Sequence, residues 1–307
     1  MKRDFLAVTD FTSKEIKDVL TIAKVVKHMH RWGDDPKPLA GKHSALMFRK
    51  PSLRTRASFE TGIRQLGANT LFFSDKEIGM GERESIHDVA KVMSRYFDLI
   101  VIRTYEHSEI VEFAKYCEVP VVNALTDLLH PCQIMGDIFT IMECKNRIDD
   151  VSIAYLGDGG NNVANSWVNL ASRIPIDLRI GTTEDRQPDE KILENAKKNG
   201  ASKITITDNP VEAVDNVDVI YTDVWASMGE KEKIQQRQEK LAKFQVNNEL
   251  LSNAKDDVIF MHCLPAERGR EVTDEVMDGE HSVVFEQAEN RLHIQKAIIL
   301  QLFGERF

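Results

Sequence analysis

The segment Pro51-Ser52-Leu53-Arg54-Thr55-Arg56 follows an apolar run ending near Phe48 and opens a stretch with helical spacing that reaches Leu66. A helix start offers unpaired N–H groups and the positive end of the helix dipole, Ser52 is a suitable N-cap, and two arginines add fixed charge. The segment therefore reads as an anion site, although a capped helix with solvated arginines would look the same in isolation. Other segments shift the balance. Arg103 follows the apolar run 99–102, and His130-Pro131-Cys132-Gln133 starts a helical stretch after the run 119–122. In an open parallel sheet, ligands gather at the carboxyl ends of the strands, so groups from these three loops are expected to converge. A histidine before proline is more often structural. Neither His130 nor Cys132 has a partner at metal-ligand spacing, so no metal is expected.

Three further segments in the second half also follow apolar runs. Gly157-Asp158-Gly159-Gly160-Asn161-Asn162 comes after 151–156 and before a helical stretch. It superficially matches a dinucleotide fingerprint but lacks the third glycine at its proper spacing, and 182–184 is a loose substitute for the ribose-binding acid. The two asparagines suit a polar small ligand better. Thr222-Asp223-Val224-Trp225-Ala226-Ser227-Met228-Gly229 follows 217–221, and His262-Cys263-Leu264-Pro265-Ala266-Glu267-Arg268-Gly269 follows 258–261. Taken singly, Asp223 serves equally as a helix cap and Cys263 as a small buried hydrophobe.

The elements that must position these residues alternate between two periods. A helix is expected over 12–32, where Thr12 and Glu15 have capping-box spacing and Ile16, Val19, Leu20, Ala23 and Val26 recur on one face. Buried strands at 44–48, 70–73, 99–102 and 119–122 are separated by helices at 55–66, 86–96, 109–116 and 132–145. After a polar stretch at 145–150 the pattern restarts, with strands at 151–156, 178–180, 204–206, 217–221 and 258–261. This βαβ alternation predicts an α/β protein of two doubly wound parallel-sheet domains. The domains are expected at 1–148 and 149–287, with a last amphipathic helix over about 288–304 packing back on the first.

Bulk properties bound the function. The chain has 307 residues, 42% hydrophobic and 29% charged, enough for two packed domains of ordinary globular composition. Its net charge of −9 disfavours nucleic acid or an anionic membrane as partner, so an anionic ligand needs a local cationic cluster. Cys117, Cys132, Cys144 and Cys263 lack CxxC spacing, which fits a reducing compartment. No apolar run approaches the roughly 18 residues of a membrane span, and 1–13 lacks the apolar stretch of a secretory signal, so a cytoplasmic protein is expected.

Together, the Ser-Leu-Arg-Thr-Arg segment, His-Pro-Cys-Gln and the Leu-Pro segment resemble the carbamoyltransferase family almost end to end. Residues 158–162, 223–229, 262–269, Glu271-Val272-Thr273-Asp274 and Glu289-Asn290-Arg291 are similar to its ornithine-using members. The resemblance implies an active site in the cleft between the domains and transfer of the carbamoyl group of carbamoyl phosphate to the δ-amine of L-ornithine, giving L-citrulline and phosphate without a cofactor. It implies carbamoyl phosphate bound by Ser52, Leu53, Arg54, Thr55, Arg103, His130 and Gln133, and ornithine held by Asn162, Asp223, Ser227 and Met228. Cys263, Leu264 and Arg291 would line the reacting centre with His130 and Arg103. A homotrimer, or a multiple of it, is also implied.

Two features depart from the family pattern. Leu53 stands where ornithine enzymes usually have threonine, a form shared with relatives acting on N-acylated ornithine, yet those relatives lack the Asn-Asn and Ser-Met-Gly segments present here. Family members also often send a polar side chain from the loop 75–84 to a neighbouring chain's site, and Gly79 stands at that place. The rivals are an N-acylornithine carbamoyltransferase, a dinucleotide-dependent oxidoreductase, which would bind NAD, and a non-catalytic paralogue. The intact Arg54, His130, Asp223 and Cys263 speak against the last.

Overall fold

Helix α1 (Ser13–Arg31) starts where its sequence says it should. Thr12 Oγ1 accepts the Glu15 N–H, and Glu15 returns a carboxylate oxygen to the Thr12 N–H at 2.9 Å, satisfying two of the donors a helix start leaves open. The computed structural model describes residues 2–81, 83–225 and 239–305. By compactness the chain divides into two units, Met1–Phe139 with Glu289–Phe307, and Thr140–Ala288. The first division falls inside α6 (Pro131–Lys145), earlier than the expected 148/149, because the helix itself carries the chain from one unit to the next. The second falls inside the last helix, Val284–Phe303.

In the first unit, β1 (His43–Phe48), β2 (Asn69–Ser74), β3 (Leu99–Arg103) and β4 (Val121–Leu125) form an all-parallel sheet in the order β2-β1-β3-β4. Strand β4 begins later than the sequence suggested, since Pro120 has no N–H to give to the ladder and only accepts, from the Ile100 N–H at 3.0 Å. Helices α2 (Leu53–Gln65), α3 (Asp75–Ile78), α4 (Ile86–Tyr96) and α5 (His107–Tyr116) intervene, as the β–α alternation requires. Ile100, Ile102, Phe97, Phe113 and Val121 belong to one buried cluster that fixes this sheet. Gly79, at left-handed φ, terminates α3.

The second unit holds a five-stranded parallel sheet in the order β7-β6-β5-β8-β9. Its strands are β5 (Val151–Leu156), β6 (Ile176–Gly181), β7 (Lys203–Thr207), β8 (Val219–Thr222) and β9 (Ile259–His262), with α7 (Asn162–Ala171), α8 (Glu190–Asn199) and α9 (Pro210–Val214) between. Trp225, Phe244, Phe260 and Ile220 anchor its core. Each sheet order reverses once, between β1 and β3 and between β5 and β8, and the crevice at such a reversal is where α/β sheets bind ligands. Among the described residues no helix is long and apolar enough to cross a membrane.

Candidate active site

At the first reversal, the turn after β1 delivers the start of α2. Ser52 caps it, its Oγ accepting the Thr55 N–H at 3.3 Å, while Leu53 and Arg54 lie too early in the helix for their N–H groups to reach an acceptor within it. Arg54 keeps a buried Nε without a hydrogen-bond partner. Arg103, at the carboxyl end of β3, does the same, and its side chain has no ion pair among the described residues. Burial, then the charges of Arg291 and Arg54, push the Arg103 guanidinium down to about 10. Three guanidiniums are thus near enough to feel one another.

Arg291 reaches this group from the last helix because that helix approaches α2 and α6 at glycines. A Cβ on Gly136 would meet Arg291 Cγ at 3.4 Å, and one on Gly62 would meet Lys296 Cγ at 3.2 Å. Arg291 Nη2 donates to the buried Thr55 Oγ1 at 2.8 Å, leaving the Thr55 hydroxyl hydrogen free to turn elsewhere. His130 precedes α6 and is buried; burial, then Arg291 and Arg103, hold its pKa well below the ordinary histidine value, so it is a neutral imidazole at physiological pH. Gln133, in the first turn of α6, donates Nε2–H to Asp137 Oδ1 at 2.8 Å and keeps a buried Oε1 without a partner. Leu53 is 82% exposed.

The expected convergence of Arg54, Thr55, Arg103 and His130 is therefore present, and Arg291 joins it. Two neighbours were not singled out beforehand. Lys50 lies with its Nζ 4.4 Å from the Tyr105 ring, its pKa lowered by burial and then by Arg103. Asp137 fixes Gln133. The signal for Asp137 was its place four residues beyond Gln133, one helical turn on.

At the second reversal, Asn161 caps α7, accepting from the Val163 and Ala164 N–H groups at 3.0 and 2.8 Å. Its Nδ2 donates to Tyr155 Oη at 2.7 Å and to Asp223 Oδ2 at 3.2 Å. Asp223 is buried, accepts the Cys263 thiol at 2.9 Å and the Val224 N–H at 2.8 Å, and has a raised pKa because burial outweighs those donors. Asn161, Asp223 and Cys263, from the ends of β5, β8 and β9, are brought into one hydrogen-bonded group. Asn162 begins α7 beside it. That Asn161 also holds Asp223 is a contact no local pattern announces. Ser227 and Met228 lie outside the described residues.

The loop carrying the two asparagines is tied down from the side. Asp158 accepts from the Gly160 N–H at 3.1 Å and from Arg186 Nε at 2.9 Å, with Arg186 Nη2 also bonded to it. Gly157 packs so tightly on Trp225 that a Cβ there would meet the indole nitrogen at 2.7 Å. Buried His262 accepts the Leu264 N–H on Nδ1 at 2.9 Å, which leaves Nε2 to donate to buried Glu271 at 3.1 Å. These bonds hold Leu264 at φ +57, in the left-handed region. Asp223, His262 and Cys263 also place donor atoms within 4.8 Å of one another, a convergence that sequence spacing did not suggest. Each of those groups is engaged by the hydrogen bonds just described.

The comparisons with known proteins agree in both halves. A family model described as "Aspartate/ornithine carbamoyltransferase, carbamoyl-P binding domain" matches residues 3–143. One described as "Aspartate/ornithine carbamoyltransferase, Asp/Orn binding domain" matches residues 149–302. The chain is 47% identical over 299 residues to the ornithine carbamoyltransferase of Syntrophus aciditrophicus (strain SB), covering 97% of this chain and 99% of the relative. A Pyrococcus furiosus relative named "Ornithine carbamoyltransferase, anabolic" is 44% identical over 305 residues, 98% of this chain and 96% of its own. The solved structure of an ornithine carbamoyltransferase from Pyrococcus furiosus superposes with a TM-score of 0.94 at 43% identity, covering 100% of this chain and 98% of that one.

Proposed function

We infer the reaction from one premise: the chain belongs to the aspartate/ornithine carbamoyltransferase family. It transfers the carbamoyl group of carbamoyl phosphate to the δ-amine of L-ornithine, giving L-citrulline and phosphate. The observation that carries the assignment of roles is the pair Arg54 and Arg103, each with a buried Nε left without an acceptor beside a neutral His130. A guanidinium partly withdrawn from water with a buried N–H left without an acceptor is costly, and a phosphate dianion is a partner that would offset it.

In this reading Arg54 and the start of α2, capped by Ser52, hold the phosphate. Leu53 contributes its backbone N–H, so replacing threonine with leucine costs only a hydroxyl. Thr55, Arg103 and His130 donate toward the carbamoyl oxygen, with Arg291 fixing Thr55, and Gln133 receives the carbamoyl NH2. The neutral δ-amine attacks the carbamoyl carbon, a C–N bond forms, negative charge collects on the oxygen, the C–O bond to phosphate breaks, and the amine's proton passes to the departing phosphate. Phosphate leaves on the arginines. Removing one donor to such a developing oxyanion costs about 10²- to 10³-fold in rate. His130 acts as a neutral donor, since its neighbours forbid a second proton.

Asp223 takes the α-ammonium of ornithine, with Asn162, Ser227 and Met228 completing the amino-acid end. Asn161 positions Asp223. Cys263, hydrogen-bonded to Asp223, and Leu264 face the reacting amine, with the thiol as a guide and not a nucleophile. The assembly is proposed as a homotrimer or a multiple of trimers in the cytoplasm, resting on the family resemblance. Incubation with carbamoyl phosphate and ornithine should yield citrulline and phosphate in equal amounts. Phosphate release without citrulline would overturn the assignment.

A further inference from the structure

The carbamoyl group differs from an acetyl group of nearly the same shape in one respect, its NH2 donates hydrogen bonds. A site that prefers carbamoyl phosphate to acetyl phosphate must therefore offer it a buried acceptor. Gln133 carries a side chain able to do so, but an amide end presents an acceptor or a donor depending on which way it is turned. What turns it decides what the site recognises.

Gln133 and Asp137 are both buried, at 1% and 0% exposure. They are one turn apart on α6, and Gln133 Nε2 donates to Asp137 Oδ1 at 2.8 Å. A carboxylate only accepts, so with Asp137 in place the NH2 end of Gln133 must face it. The opposite orientation would set two acceptors against each other in a buried place. The amide oxygen is then directed away from Asp137, and that Oε1 is buried with no hydrogen-bond partner. An orphaned buried acceptor is costly, so the orientation is retained against a penalty that a donor from a ligand would remove.

We propose that Asp137 is a positioning residue that sets the polarity of Gln133, making the site an acceptor for the carbamoyl NH2 and thereby selecting carbamoyl phosphate over acyl phosphates that lack a donor. The inference rests on the carbamoyl-transfer reading above and adds the element that distinguishes NH2 from CH3. Asparagine at 137 offers an oxygen and an NH2 to the same neighbour, so Gln133 is no longer held in one orientation.

The test compares three ligands on the full-length enzyme and its Asp137→Asn variant: KM for carbamoyl phosphate, and inhibition constants for acetyl phosphate and inorganic phosphate against it. A lost buried hydrogen bond of this kind corresponds to roughly 10- to 100-fold. The proposal expects kcat/KM for carbamoyl phosphate to fall by that factor, while the constants for acetyl phosphate and inorganic phosphate change less than about three-fold. A merely structural role would weaken all three together, and that result, or an unchanged ratio of carbamoyl phosphate to acetyl phosphate, overturns it. Gln133→Met, which keeps size and removes the acceptor without touching Asp137, should erase the same preference. If Gln133→Met retains it, the proposal also fails. Citrulline formation by the unaltered enzyme separates the two levels: its absence sinks the carbamoyl-transfer reading, whereas its presence with no change of preference in the variants sinks only the role of Asp137.

Discussion

Arg103→Met should make the empty protein more stable while removing its affinity for carbamoyl phosphate. Burial and two neighbouring guanidiniums lower Arg103 to about 10, yet at pH 7 it remains charged, so the fold bears the cost of that charge. Relative to an ordinary guanidinium the cost is at most about 3 kcal/mol, and partial exposure trims it to roughly 1–3 kcal/mol. Methionine keeps the apolar stem and removes the charge, and the Arg103 side chain has no ion pair to lose among the described residues, its Nε being without a hydrogen-bond partner. At about 2–4 °C per kcal/mol, the melting midpoint of the ligand-free variant should rise by about 2–12 °C. Saturating carbamoyl phosphate acts differently on the two proteins. At 100 times Kd it should stabilise the native sequence by about 2.7 kcal/mol and leave the variant almost unmoved. Differential scanning calorimetry with and without ligand reads both effects. A lower midpoint for the empty variant, or an equal ligand-induced rise in both proteins, would refute the claim that this cluster is strained in the absence of an anion.

Arg54→Ala should weaken carbamoyl phosphate binding by about 10²-fold or more, measured as KM, because it removes a charge-assisted partner of the phosphate; unaltered affinity would place the anion elsewhere. His130→Ala should lower kcat by about 10²- to 10³-fold with a smaller change in KM, while His130→Gln, which restores a neutral N–H donor, recovers part of it. Since His130 stays neutral far below the ordinary histidine range, the acid limb of the pH–rate profile should be the same in the native enzyme and His130→Gln, and a shifted limb would contradict its neutral role. His293 is buried with its pKa lowered to about 3, by burial and then by Lys296, Lys27, His30 and Arg31. Below its unfolded value of 6.5 the unfolded chain takes up a proton that the folded one refuses, so stability should fall as pH drops from about 6.5 toward 3, by at most ~1.4 kcal/mol per pH unit from this group. His293→Leu should flatten that slope in urea unfolding, and an unchanged slope would remove His293 from the acid response.

Where the sequence was informative, the cause was local. Ser52 and Thr12 cap the helices their spacing foretold, and the apolar runs became parallel strands within a few residues of the expected limits, because a buried strand needs only a short apolar stretch. Arg54, Arg103 and His130 could be placed together from topology alone, since all follow neighbouring strands. What local pattern could not supply was partnership. That Asn161 holds Asp223 across 62 positions, or that Arg291 bonds Thr55 across 236, depends on which strands neighbour and which glycines let helices close. The first unit's limit inside α6 was hidden for a related reason: a continuous helix shows no break in composition where it passes between units.

The central claim is that free ornithine is the acceptor, its α-ammonium paired with the buried carboxylate of Asp223. N-acetylation removes that charge and leaves Asp223 desolvated without a counter-ion, a penalty of several kcal/mol in a closed site. The most direct test is a side-by-side measurement of kcat/KM for carbamoylation of ornithine, N-acetylornithine and putrescine at fixed carbamoyl phosphate. Ornithine should exceed N-acetylornithine by at least about 10³-fold, with ~4 kcal/mol as the discrimination, and Asp223→Asn should shrink that gap mainly by impairing ornithine. If N-acetylornithine or N-succinylornithine is the better acceptor, Leu53 in the phosphate segment was the truer guide, and the role given to Asp223 is wrong.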